Sequence, residues 1–211
     1  MKIPRTLVVK LLSDTTFGSG RGTPGMVDVE VDHDEMGLPF LGGKALRALL
    51  RDSWLSMQRV FPELFPAACR AFGKPGDMDD GAILRVGNAV VDSETREWVR
   101  AALERDTNPV SAKDVFGALT AIRRQTAMDR ETGAPAETTL RATRVVIRGL
   151  ELQAPLTWLD EPAEAEVRCL ALAVLATRHA GLGRNRGRGH IAVSLAGDRD
   201  YTVRVARGVS P

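Results

Sequence analysis

The sequence predicts a mixed α+β domain, and three features carry that reading. Residues 3–12, Ile-Pro-Arg-Thr-Leu-Val-Val-Lys-Leu-Leu, form a continuous apolar run of strand character. Two short alternating runs, 190–195 and 201–206, read as further strands at the other end of the chain. Between them, apolar residues recur at helical spacing near 44–57 and 162–180. With 211 residues the chain suits one sizeable core, so 1–211 is read as a single domain. No apolar run reaches membrane-spanning length and the start lacks a secretory pattern, so a cytoplasmic protein with no membrane partner is expected.

After the first strand, Asp14 to Gly25 is crowded with glycine and small hydroxyl residues and should be a loop whose backbone can approach a partner. The next stretch alternates: Val27, Val29 and Val31 would face one way, and Asp28, Glu30 and Asp32 the other, lining one edge with carboxylates. Gly37, Pro39, Gly42 and Gly43 break this pattern and deliver the chain into a helix with Leu46, Leu49, Leu50 and Trp54 on its packing face. Phe61 to Phe72 reads as a second helix cut at Gly73, Asp77 to Asp80 as an acidic turn, and Ala82 to Val91 as a strand. Ser93-Glu94 opens a helix that packs through Trp98, Val99, Ala102 and Leu103. Residues 107–143 are the least regular and centre on a protruding excursion around Gly133-Ala-Pro135, before strand character returns over Val145 to Leu152. The helix from Pro162 to Ala180 has Asp160 as its cap, Glu164 and Glu166 in its first turn, a stripe of Val167, Leu170, Ala171, Val174 and Leu175, and Gly181 as its stop.

Two segments point to an anion. Lys44, Arg47 and Arg51 form a basic stripe on the first helix, whose N-terminal N–H groups follow two glycines and suit a phosphate oxygen. Gly181-Leu-Gly-Arg-Asn-Arg-Gly-Arg-Gly189 sets Gly181, Gly183, Gly187 and Gly189 among Arg184, Arg186 and Arg188. Adjacent guanidinium groups repel, and glycines cost about 0.5–1 kcal/mol in regular structure; a phosphodiester backbone would offset both. The net charge is only +2, but 24 of the 29 basic residues are arginine, the better phosphate fork, although a GC-rich genome would produce the same bias. A nucleotide-binding P-loop is excluded at Gly37 to Ala45, where Leu38 and Ala45 occupy the positions of its first glycine and its Ser/Thr. Cys69 and Cys169 lack CxxC spacing and read as core thiols.

The motifs carry a family resemblance. Gly37-Leu-Pro-Phe-Leu-Gly-Gly-Lys-Ala-Leu-Arg-Ala-Leu-Leu-Arg51 is similar to the G-L-P-x-(I/L)-P-G-(S/T)-(S/T)-(L/I)-(K/R)-G-x-(L/I)-R element of the RAMP (repeat-associated mysterious protein) superfamily of CRISPR proteins. Residues 181–189 resemble that superfamily's C-terminal glycine-rich loop, and Phe72-Gly73 and Arg123 to Leu150 fit between them in order. Gly42 stands in place of the usual proline, and Lys44-Ala45 in place of the Ser/Thr pair. The likeness is greatest to the repeated backbone subunit of type III effector complexes. It implies a ferredoxin-like, RNA-recognition-motif-like fold with a thumb-like hairpin, here within 107–143. It also implies CRISPR RNA, target RNA, other effector subunits and further copies of the chain as partners.

In cleaving members of the family an Asp ahead of the Leu-Pro element promotes metal-dependent cutting of target RNA. Asp28 matches it here as catalytic and Mg²⁺-binding residue, with Asp32 and Asp34 nearby as alternatives. RNA contacts are assigned to Lys44, Arg47, Arg51, the basic pair Arg123 and Arg124, and Gly181, Gly183, Arg184, Arg186, Gly187, Arg188 and Gly189. A non-catalytic RNA-binding subunit is the alternative. A guide-processing ribonuclease, with His33 as its acid or base, is the third reading. The RNA reading expects residues 42–51 and 181–189 to share one groove.

Overall fold

The apolar runs at the two ends of the chain are neighbours in one sheet. The computed structural model describes residues 3–74, 81–136 and 139–209. Its elements are β1 (Thr6–Leu11), α1 (Gly43–Met57), α2 (Phe65–Phe72), β2 (Leu84–Val86), α3 (Ser93–Leu103), α4 (Ala112–Leu119), β3 (Thr120–Gln125), β4 (Arg141–Val146), β5 (Glu151–Trp158), α5 (Glu164–Ala176), β6 (Ile191–Leu195) and α6 (Arg199–Ala206). The main sheet has the order β2-β5-β1-β6 with every pairing antiparallel. With α1 after its first strand and α5 after its third, this is the ferredoxin-like arrangement. A second sheet is the β3–β4 hairpin.

Alternation fixes which face of the main sheet is buried. Leu7, Val9 and Leu11 of β1, Leu152, Ala154 and Leu156 of β5, and Ile191, Val193 and Leu195 of β6 share one core. The opposing layer is Leu46, Leu50 and Trp54 of α1 with Val167, Leu170, Ala171 and Val174 of α5, at the spacings read from the sequence. Cys169 lies in this core, and burial pushes its thiol up to about 12.

Several elements depart from expectation, each for a local reason. Residues 201–206 are helix α6 rather than a strand. Asp198 caps it by accepting from Tyr201 N–H, and Thr202, Val205 and Ala206 are buried at helical spacing. Strand character over 145–152 is divided between β4 and β5, and β5 continues through Pro155 to Trp158. Proline in a central strand argues against such a reading. Here Gly87 makes room, since a Cβ there would lie 2.6 Å from the Pro155 ring. Helix α5 stops at Ala176, before Gly181, and its start is held by Glu166 accepting from Ala163 N–H rather than by Asp160. Both acids instead receive Arg70. Trp98 on α3 is 68% exposed and no part of the core. The span 107–143 contains α4, whose cap is a reciprocal Ser111–Asp114 pair, and β3. The acidic turn Asp77 to Asp80 lies outside the described residues.

At the head of α1 the glycines serve packing. A Cβ on Gly43 would lie 2.3 Å from the Val86 carbonyl oxygen, and its N–H is taken by Asn88 Oδ1 at 2.8 Å. Gly42, by contrast, has open space around it and an ordinary φ of −57°. Gly43→Ala should therefore lower stability by about 1–3 kcal/mol through overpacking. Gly42→Ala should stay within about 0.5 kcal/mol of the parent, as lost capping preference and reduced unfolded-state entropy offset. Urea midpoints of the two variants separate these outcomes. Asp198→Ala should cost about 1 kcal/mol in the same measurement if α6 depends on its cap.

Candidate nucleic-acid interface

The loop after β1 is where the chain's second sheet meets the glycine-rich segment. Thr15 exchanges main-chain hydrogen bonds with Val146 of β4 (3.0 and 2.7 Å), while the Thr16 carbonyl accepts from Leu182 N–H at 3.0 Å. The Asp14 carbonyl accepts from Gly189 N–H at 2.9 Å. Three successive residues thus tie the hairpin to both ends of residues 181–189. The glycines there fit these contacts: Gly181 and Gly189 have φ near +75° and +71°, and a Cβ on either would sit 2.2 Å from the carbonyl oxygen of Thr16 or Ala180. Close packing therefore accounts for these two glycines without an anion.

Folding does not account for the arginines. A groove of about 1540 Å³ runs between the hairpin and the glycine-rich loop, lined by Asp28, Arg124, Arg141, Arg184, Arg186 and Arg188 among others. A small-molecule pocket is roughly 300–1,000 Å³, so this groove has the room of a polymer track. None of the five arginines makes an ion pair or side-chain hydrogen bond among the described residues. Among the described residues, Asp28 is the one carboxylate lining the groove. Five guanidinium groups facing a single acid leave the groove strongly cationic.

Asp28 is positioned by β4. Its N–H donates to the Ala142 carbonyl at 2.8 Å, and its Oδ2 accepts from Ala142 N–H at 2.7 Å, which leaves Oδ1 without a hydrogen-bond partner among the described residues. Val27 and Val31 turn inward and are buried, whereas Val29 is only partly buried and lines the groove beside Asp28. The carboxylates do not form one open row, however. Glu30 pairs with Arg144, and Asp34 caps the turn at Met36 and Leu38 while pairing with Arg96. Asp32 and Asp34 do not line the groove, so the geometry singles out Asp28 among the three. His33 is bonded to the Asp34 carbonyl and lies 4.4 Å from the Phe116 ring, also outside the groove. No group of three or more His, Cys, Asp or Glu among the described residues is placed to hold a metal ion. Of the acidic residues proposed as metal ligands, Asp28 alone lines the groove and could offer a carboxylate to a divalent cation, whose remaining ligands would have to come from outside the described residues.

The expected convergence of residues 42–51 and 181–189 on one groove is not found. Lys44, Arg47 and Arg51 line none of it. Arg47 and Arg51 instead donate to the carbonyls of Phe72 and Lys74, clamping the end of α2, while Lys44 is exposed. Arg123 is also drawn away, held by Asp14 at 2.6 Å, whereas its neighbour Arg124 lines the groove with Gly181, Gly183, Arg184, Arg186 and Arg188. Gly187 and Gly189 do not line it. Sequence reasoning missed Arg141 and Gln125. The signal was available, since pairing the hairpin symmetrically about Gly133 sets Gln125 opposite Arg141.

Comparison with known proteins follows the same lines. A family model described as the RAMP superfamily matches residues 8–192. No curated protein sequence matches the chain. Among solved structures, a chain of the type III-B Cmr-beta complex bound to cognate target RNA, determined by cryo-EM, has a TM-score of 0.66 at 11% identity, with 91% of this chain and 96% of that chain covered. A chain of the apo Cmr-beta complex gives 0.67 at 11% identity, covering 93% and 98%. At this identity the likeness is one of fold. The family match runs from within β1 to the start of β6 and takes in β2, β5, the hairpin and the glycine-rich loop: the chain belongs to the RAMP superfamily.

Proposed function

We propose that the chain is an RNA-binding backbone subunit of a type III CRISPR effector complex, and that it cuts target RNA with Asp28. The observation that carries the binding reading is the set of five arginines, without acid partners among the described residues, around one groove. An RNA backbone laid there would be gripped by Arg124 and Arg141 from the hairpin and by Arg184, Arg186 and Arg188 from the loop. Guanidinium forks match phosphate oxygens in pairs. Among the described residues no aromatic side chain lines the groove, so the grip would be on the RNA backbone rather than on stacked bases. Sequence specificity would come from guide–target pairing, with CRISPR RNA and target RNA as partners beside other subunits and further copies of the chain. The β3–β4 hairpin is the element that corresponds to the family's thumb.

For cleavage, Asp28 would take the proton from the RNA's own 2′-hydroxyl. The resulting oxygen attacks the adjacent phosphorus, the bond to the 5′-oxygen breaks, and that oxygen leaves with a proton. Charge building on the phosphate is met by the neighbouring guanidinium groups. When bound, Mg²⁺ would neutralise phosphate charge beside Asp28. A binding-only subunit is the second reading. It is favoured by the engagement of Asp28 Oδ2 with Ala142 and by the missing cluster of metal-binding residues among those described.

Asp28→Ala in the assembled complex separates the two. On the cutting reading, target cleavage falls about 10²–10⁴-fold while guide binding is retained; unchanged cleavage removes Asp28 from the chemistry. Replacing Arg184, Arg186 and Arg188 with Ala should weaken single-stranded RNA binding regardless of sequence. The slope of log affinity against log salt should flatten by about 0.7 per lost phosphate contact. An unaltered slope would mean that the loop does not carry phosphate.

A further inference from the structure

We infer that the Glu30–Arg144 ion pair is the device that positions Asp28, an inference that rests on the cutting role proposed above. The segment carrying Asp28 forms no regular strand and is attached to the hairpin through isolated bridges, among them Val29 with Thr143. Two successive rungs hold it. In the outer rung, Asp28 and Ala142 exchange the hydrogen bonds described above, both exposed to water that can replace them. In the inner rung, two residues further along each segment, Arg144 Nε donates to Glu30 Oε2 at 2.6 Å and Arg144 N–H donates to the Val29 carbonyl at 2.9 Å.

The inner rung is shielded where the outer one is not. The Arg144 and Glu30 side chains are only 15% and 16% exposed. The guanidinium lies 4.9 Å from the centre of the Phe116 ring on α4, and Thr23 Oγ1 donates to Glu30 Oε1 at 3.0 Å. A charged hydrogen-bonded pair removed from water is stronger than an exposed main-chain bond and exacts more when one partner is lost. It therefore fixes the segment against β4, and Asp28, bonded to Ala142 of the same strand, inherits its place in the groove. Neither Glu30 nor Arg144 lines the groove, so the pair acts on Asp28 and not on RNA.

Glu30→Gln keeps the shape and removes the charge; Arg144→Lys keeps the charge and removes the fork. In the full chain assembled with guide RNA, Glu30→Gln should lower cutting at saturating target at least tenfold with affinity changed less than twofold, and Arg144→Lys should fall in between. Added to Asp28→Ala, Glu30→Gln should cause no further loss. In the RNA-free protein, Glu30→Gln should speed hydrogen exchange of the Ala142 amide, which donates to Asp28. Equal losses of affinity and cutting, an additive double variant, or an unaltered Ala142 exchange rate would each overturn the inference. If the parent chain proves not to cut, the cutting role fails, and the Ala142 exchange rate still decides whether this pair holds Asp28.

Discussion

The groove exists because Asp14, Thr15 and Thr16 fasten two otherwise separate parts of the chain to each other. Thr15 and Thr16 are fully buried, and their polar groups are met by Val146, Leu182, Ser13 and Arg144. Each such bond contributes about 0.5–1.5 kcal/mol net, but leaving its buried partner unmet would cost more. The buckle therefore resists slippage in either direction. Asp14 extends it outward, with its carboxylate on Arg123 and its carbonyl on Gly189. The hairpin wall and the loop wall are held at a fixed separation by three consecutive residues that touch both.

Charge compensation then decides which cations are available. The chain is nearly neutral, so cationic excess at one place is balanced by acidic excess elsewhere. Arg70, Arg96, Arg123 and Arg144 each meet a carboxylate, and Arg47 and Arg51 meet carbonyls. Arg124, Arg141, Arg184, Arg186 and Arg188 have no such partner among the described residues, and all five line one groove. Arg123 and Arg124 show the principle at its closest. Adjacent on a strand, they point to opposite faces, one into an ion pair and the other into the groove.

Much of this was legible in the sequence, and the failures have physical causes. The amphipathic faces of α1 and α5, the burial of Val27 and Val31 and the glycine-rich loop all follow from spacing alone. For the α1 stripe, periodicity reports which residues share a face but not what lies opposite; the carbonyls that Arg47 and Arg51 meet, those of Phe72 and Lys74, come from a later helix end. Residues 201–206 alternate like a strand, yet the Asp198 cap and the packing of α6 on α5 prevail over that pattern. The loop glycines were credited to an anion, whereas the carbonyls of Thr16 and Ala180 already demand them at Gly181 and Gly189.

The central claim is that uncompensated arginines on two walls, joined by the Asp14–Thr16 buckle, hold one polyanion between them. Arginine side-chain NMR signals followed during titration with a short single-stranded RNA test it most directly. Arg124, Arg141, Arg184, Arg186 and Arg188 should shift together with one affinity while Arg123 and Arg144 stay in place. Shifts confined to Arg47 and Arg51, with the five groove arginines silent, would contradict it.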